Sequence, residues 1–291
     1  MMLRGFHAMV LAAAATTACT SLPLLRADPI RVLVLNMHAG KDAAGHPNLD
    51  AIASLVKTAG ADVVLLQEVD RGTARSGGID QVGTLERLTG HSAAFGASLL
   101  HYDGGEYGIA VLSRGGVGYR ATLPLPVAPV QTRAGGSREP RVALLAFLTV
   151  RGAAWRAIDT HLDPADGTAR AQEVARLADL VREQQLAGTP LVLGGDFNST
   201  PDNPVLAPLR AAGLRDAWVE CGAGDGLTYP ADKPVKRIDY LFLSGDLHCS
   251  EARVIDSRVS DHRPLLVTLG PKQVGPRVFP GAQSRKLKAE S

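Results

Sequence analysis

The chain has 291 residues, 45% of them hydrophobic and 21% charged. That composition excludes a disordered, collagen-like or coiled-coil protein, and the length suffices for one large or two ordinary domains. The formal net charge of +2 excludes a strongly basic chain as a whole, but the charge is unevenly spread. Residues 1–27 carry Arg4 and Arg26 and no acid, and residues 271–291 carry five cations against Glu290. The body between them, 28–270, is left with 24 basic and 28 acidic residues, a net of −4.

In chain order, Arg4 precedes an apolar run over 8–15 and then Thr16-Thr17-Ala18-Cys19. A basic start, a short apolar stretch and small residues at a cut site predict a secretory signal over 1–27, and hence export. The run is too short to span a bilayer, which needs about 20 apolar residues. Small residues before Cys19 also resemble the bacterial lipoprotein signal, although Thr16 stands where that pattern usually has Leu. Two outcomes follow: Cys19 is lipidated and holds the protein on a membrane, or the chain is released into the periplasm. Cys221 and Cys249 then remain, either as a disulfide suited to an oxidising compartment or as two free thiols.

The β-branched run 30–35 predicts a buried strand. Leu49, Ile52, Leu55 and Val56 recur at helical spacing over 48–59, with Gly60 as a stop. A second buried strand is predicted at 62–66 and a short helix at 84–88. Strands follow at 107–112, 117–123 and 141–150, an order that suggests antiparallel pairing, and then at 155–160. The segment 165–185 is the best helix, with Ala171, Val174, Leu177, Ala178 and Val181 on one face. A strand at 190–193, a helix at 205–212 and strands at 238–243 and 264–269 complete the body. No repeat and no Gly/Ser linker divides 28–270, so it reads as one monomeric α/β domain of two mixed sheets packed together and covered by helices. The residues after 270 read as a basic extension without packed structure.

The informative feature is what ends each apolar run. The first strand ends in Asn36, the second in Gln67-Glu68, the 155–160 strand carries Asp159 and ends in His161, and 191–195 ends in Asp196-Phe197-Asn198. Asp239 opens one late strand and Asp261-His262 precede the last. In open α/β sheets ligands bind outside the carboxyl ends of the strands. If the two late strands run antiparallel to the first four, all these groups share one edge. Each alone reads as an ordinary turn former; together they are five carboxylates and two imidazoles in one chain. Glu68, Asp196, Asp239 and Asp261 gathered together would repel unless a cation neutralised them. Oxygen ligands with an amide select Mg²⁺, Mn²⁺ or Ca²⁺ over Zn²⁺, and a hard divalent cation beside histidines suits phosphoryl chemistry.

Leu35-Asn36-Met37-His38, Leu66-Gln67-Glu68-Val69-Asp70, Tyr107 to Arg114, Thr160-His161-Leu162, Gly194-Gly195-Asp196-Phe197-Asn198, Arg237-Ile238-Asp239-Tyr240 and Ser260-Asp261-His262-Arg263-Pro264 occur in a fixed order over 30–269. This ordered set resembles the endonuclease/exonuclease/phosphatase superfamily. The resemblance implies a four-layer α/β/β/α sandwich and hydrolysis of phosphate esters with Mg²⁺, or Mn²⁺, as cofactor. By motif it implies that Asn36, Glu68 and Asp261 lie at the metal. Asp196 and Asn198 would orient the attacking water and a phosphate oxygen. His262 would contact the scissile phosphate with Asp239 holding its imidazole, and His161 would stabilise the transition state. Asp159 takes a supporting role, and with Arg114 and Arg141 completes the candidates for substrate contact.

The substrate stays open at this level: a lipid head group, a small phosphodiester or phosphomonoester, or nucleic acid. A body at −4, with 4% aromatic residues in the chain, is poorly suited to nonspecific DNA binding, which depends on many Lys/Arg–phosphate contacts. An exported nuclease and a catalytically inactive phosphate-binding module are the alternatives. The blocks from Asn48-Leu49-Asp50 to Asp80-Gln81 look most like a small bacterial exported branch of the superfamily, some of whose members are linked to glycolipid-anchor remodelling.

Overall fold

The computed structural model describes residues 28–129 and 136–272. The expected signal segment, Cys19 and almost all of the basic tail therefore lie outside the described residues. Two six-stranded sheets face each other. The first has the order β11-β12-β1-β2-β4-β3, built from β1 (Ile30–Asn36), β2 (Val63–Arg71), β3 (Ser92–Tyr102), β4 (Gly105–Ser113), β11 (Leu247–Val254) and β12 (Leu265–Pro271). The second has the order β5-β6-β7-β8-β10-β9, built from β5 (Val117–Pro124), β6 (Val142–Val150), β7 (Ala153–His161), β8 (Leu191–Asp196), β9 (Arg215–Asp216) and β10 (Asp239–Leu243). Helices α1 (Leu49–Ala59) and α2 (Gln81–Thr89) cover the first sheet; α3 (Gly167–Gln185) and the short α4 (Ala207–Ala211) cover the second, and α5 (Ala217–Cys221) lies against β10 and β11. The result is the expected four-layer α/β/β/α sandwich.

The alternation of side chains along each strand makes three cores from one pattern. Ile30, Val32 and Val34 of β1 meet Val63 and Leu65 of β2, Trp155 and Ala157 of β7, Val192 of β8 and Leu241 and Leu243 of β10 between the sheets. The alternate residues face outwards: Leu33, Leu35, Val64 and Leu66 pack on α1 and α2, and Leu191, Leu193, Tyr240 and Phe242 pack on α3. Burial on both faces explains the near-continuous apolar runs. Each fully buried Leu or Val contributes on the order of 1.5–3 kcal/mol. The sheets approach closely at Gly194, where a Cβ would lie 2.6 Å from Leu65 Cδ1.

Of the strand pairs among the described residues, only β1–β2 and β7–β8 are parallel. β10 runs antiparallel to β8, with Asp239 opposite Asp196, and β12 antiparallel to β1. The ends of four strands and the approaches to two others therefore share one edge, as the sequence requires for a single site.

Several elements differ from the sequence expectation. β2 does not stop at residue 66 but continues to Arg71, because Val69, Asp70 and Arg71 pair with Gly108, Tyr107 and Glu106 across a bulge. The helix expected at 205–212 is a 3₁₀ turn, Pro204–Leu206, running into α4, with Pro208 in its first turn. β3, β9, β11 and α5 have no counterpart in the hydrophobic pattern. β3, β9 and β11 are edge or two-residue strands, which pair by backbone and bury few side chains.

Cys221 and Cys249 form a disulfide, their Cα atoms 5.8 Å apart, joining α5 to β11. The pair is 28 residues apart in sequence, a closure worth roughly 3–4 kcal/mol in the chain-entropy account. The double variant Cys221→Ser/Cys249→Ser is expected to melt roughly 10 °C lower than the parent. Equal melting temperatures in scanning calorimetry would remove the cross-link from any account of stability. Among the described residues no helix is long and apolar enough to cross a membrane.

Candidate active site

The stripe of side chains that lines the inter-sheet core turns polar at one end. After Ile30, Val32 and Val34 the next inward residue is Asn36; after Val63 and Leu65 it is Gln67; after Trp155 and Ala157 come Asp159 and His161; after Val192 and Gly194 comes Asp196. On β10, read backwards from Leu243 and Leu241, it is Asp239. Glu68 would face α1 and α2 if β2 were regular. The bulge between Leu66 and Val69, with Glu68 at φ +56°, instead brings it to the cleft, a common use of such bulges.

These groups open into a cleft of about 640 Å³ whose lining includes Asn36, Glu68, His161, Asp196, Asn198, Asp261 and His262. Asn36 Nδ2 donates to Glu68 Oε1 at 3.0 Å and to Asp196 Oδ2 at 3.2 Å, joining the two sheets across the cleft floor. The Asn36 backbone carbonyl accepts from Ser260 Oγ at 2.6 Å, which ties the loop carrying Asp261 and His262 to the end of β1. His262 Nδ1 bonds Asp239 Oδ2 at 2.9 Å, and its Nε2 lies 3.7 Å from Asp196 Oδ2. His161 Nε2 approaches the same Asp196 oxygen at 3.6 Å. The corner after β8 is held by Phe197, packed edge-on against Tyr240 and Phe242. There Asn198 (φ +47°) donates its backbone N–H to Asp196 Oδ1 at 2.9 Å and its side-chain amide to the Leu162 carbonyl at 3.0 Å.

Burial and neighbouring charges together decide the charge states. Asp196 is 1% exposed; burial first, and then the neighbouring Asp239, push its carboxyl up to about 7, with His262 and hydrogen bonds from Asn198 and Asn36 opposing. For His262, burial pulls the pKa down, but Asp239 and Asp196 outweigh it and hold the imidazole up at about 10. The shared proton therefore belongs to His262, and Asp196 is an unusually weak acid beside it. His161 goes the other way: burial, then the positive charges of Arg141 and His262, keep it well below the ordinary histidine range and neutral.

Glu68 and Asp261 are partly exposed carboxylates beside the Asn36 amide, a set of hard oxygens that fits Mg²⁺ or Mn²⁺. Asp196, Asp239 and His262 also bring one ligand atom each within 4.8 Å of the others. The His262–Asp239 hydrogen bond and the proton held there make that deeper trio better suited to proton handling than to ligation.

The remaining candidates separate. Arg141 lines the cleft, 3% exposed, and pairs with Glu139 at 3.0 Å. Asp159 sits behind the cleft floor, fully buried, where it accepts from Gln67 Nε2 at 2.6 Å. Arg114 is not brought to the cleft. β4 runs antiparallel to β2, so its carboxyl end falls at the start of β2, where Arg114 bonds the Ala61 carbonyl and lies 3.8 Å from Asp62. Sequence reasoning assigned no role to several lining residues: Tyr229, whose ring lies 4.7 Å from that of His262, Lys236, Arg75, Tyr107 and the Ser199-Thr200 pair. Arg75 is fixed by a two-point bond to Asp70. Its position five residues after Asp70 of the Gln67-to-Asp70 block is the available signal; Tyr229 and Lys236, on an irregular loop before β10, have none.

Comparison with known proteins agrees with the fold. Among solved structures, the chain is similar to an endonuclease/exonuclease/phosphatase from Beutenbergia cavernae (21% identity, TM-score 0.67, 84% of this chain and 72% of the other). It is also similar to a mannosyl-6-phosphatase from Bacteroides thetaiotaomicron (18%, 0.68, 82% and 99%) and to the catalytic domain of human Nocturnin with bound sulfate (20%, 0.64, 84% and 94%). No curated protein sequence matches. The profile of the Endonuclease/Exonuclease/phosphatase family matches residues 33–262, and the chain belongs to that family.

Proposed function

We propose that the protein is an exported phosphoesterase, dependent on a divalent cation, that hydrolyses phosphate esters by direct attack of water. The observation that carries this reading is the meeting of the buried, hydrogen-bonded His262–Asp239 pair with buried Asp196 at the floor of a cleft that Asn36, Glu68 and Asp261 also line. Asn36, Glu68 and Asp261 would hold Mg²⁺ or Mn²⁺. The bound cation would supply Lewis-acid polarisation of a phosphate oxygen and neutralise developing charge. Asp196, deprotonated, takes a proton from the attacking water at Oδ2, a role suited to a pKa close to neutral; as the water oxygen bonds phosphorus, the ester P–O bond breaks and the departing oxygen takes a proton from solvent. Asn198 fixes the carboxylate by donating to Oδ1. His262 directs its protonated Nε2 at a phosphate oxygen while Asp239 holds Nδ1, and neutral His161 offers a further N–H from the opposite wall. Arg141 adds fixed positive charge. Export, with release into the periplasm or anchoring through Cys19, rests on the composition of residues 1–27.

The test is a screen of the purified mature chain, with Mg²⁺ and Mn²⁺ and after chelation, against bis-p-nitrophenyl phosphate, p-nitrophenyl phosphate, plasmid DNA, RNA, sphingomyelin and inositol phosphates. Turnover of one of these classes, lost on chelation, is expected. Inactivity on all of them with both metals would return the protein to the phosphate-binding alternative.

A further inference from the structure

Asp159 and Gln67 stand out as polar groups that the proposed chemistry does not use. They come from different sheets, β7 and β2, and meet across the inter-sheet core with neither side chain exposed. One contact joins them, Gln67 Nε2 to Asp159 Oδ1 at 2.6 Å. Their other two oxygens, Gln67 Oε1 and Asp159 Oδ2, are both buried without a hydrogen-bond partner. Among the described residues no cationic side chain pairs with Asp159. An ionised carboxylate there would be a buried charge with one side-chain hydrogen bond, from a neutral amide, and a second oxygen without a hydrogen-bond partner. Buried polar atoms are otherwise almost always satisfied, and buried charges are paired.

We propose that Asp159 keeps its proton and closes a cyclic acid–amide pair with Gln67, and that this pair is a positioning device for the two active-site residues beside it, Glu68 and His161. The carboxyl O–H at Oδ2 donates to Gln67 Oε1 while Gln67 Nε2 donates to Asp159 Oδ1, so one proton satisfies both orphaned oxygens. Burial pushes the Asp159 carboxyl well up, opposed by the Gln67 amide and the nearby Thr160 and Leu66 backbone N–H groups. The positioning follows from chain neighbours. Gln67 immediately precedes Glu68 in the bulge, and its backbone carbonyl accepts from Met37 N–H at 3.0 Å. Asp159 lies two residues before His161 on the same face of β7. A planar, two-point link between the sheets holds both strand ends in register, as outer-layer hydrogen bonds hold metal ligands and catalytic groups elsewhere. The role given to Glu68 and His161 rests on the phosphoesterase reading; the proton does not.

Two measurements that need no substrate test this. The infrared difference spectrum between the parent and Asp159→Asn is expected to show loss of a protonated-carboxyl band; loss of a carboxylate band instead would overturn the proposal. Mn²⁺ titration by calorimetry is expected to give Asp159→Asn an affinity within about twofold of the parent, because an amide keeps both hydrogen bonds, and to give Asp159→Leu and Gln67→Leu affinities 10–100-fold weaker, the usual range for outer-layer partners. Gln67→Leu keeps the test decisive if Asp159→Leu does not fold. Equal affinities in the parent and a leucine variant would overturn the positioning role. Failure of every phosphoester in the screen would count against the phosphoesterase reading alone.

Discussion

Asp196→Asn is expected to lower kcat by roughly 10²–10⁴-fold, the usual contribution of a positioned general base, with KM changed far less. The protein should gain stability in the same substitution. Because burial raises the folded Asp196 pKa from 3.8 to about 7, the fold favours the protonated form. Its penalty is absent below pH 3.8, grows between 3.8 and 7, and is complete above 7. A neutral amide avoids that penalty, so in metal-free buffer the variant should melt above the parent at pH 8, with the difference closing towards pH 4. Such an exchange of stability for activity is common at catalytic sites. A variant that turned over like the parent would remove Asp196 from the chemistry.

Asp239→Asn addresses the partner. An amide keeps the size of the side chain but loses the charge that holds His262 protonated, and it can leave the imidazole in the wrong tautomer. A fall in kcat on the order of 10³-fold is expected. The stability effect has the opposite sign to that of Asp196. His262 is raised from 6.5 to about 10, so its contribution is fully present below pH 6.5 and is lost as pH rises through 10. Melting temperatures measured from pH 6 to 10 should therefore fall more steeply for the parent than for Asp239→Asn. Parallel curves would mean that Asp239 does not set the state of His262.

Much of this site is legible in the sequence because its residues continue the same two-residue alternation that builds the core. Asn36, His161, Asp196 and Asp239 each fall where the next inward apolar residue would stand. Glu68 obeys a different rule: only the bulge turns it inwards, and a bulge leaves no mark on hydrophobic periodicity. It is legible only through the Gln67-Glu68 block. Arg114 shows the converse error, a motif residue carried by an antiparallel strand to the far end of the sheet. β3 and β11 were invisible because a strand at a sheet edge needs backbone partners more than apolar side chains. Tyr229 and Lys236 reach the cleft from an irregular loop, where neither period nor composition reports direction.

The close approach at Gly194 has a kinetic consequence. Asn36 and Glu68 stand on one sheet; His161, Asp196 and Asp239 stand on the other. The spacing of Asn36 and Glu68 from Asp196 and Asp239 is therefore set by how thick the middle of the sandwich is, and Leu65 against Gly194 acts as its shim. Residues deep in the core thereby belong to the tuning of the proposed catalysis although none of them lines the cleft.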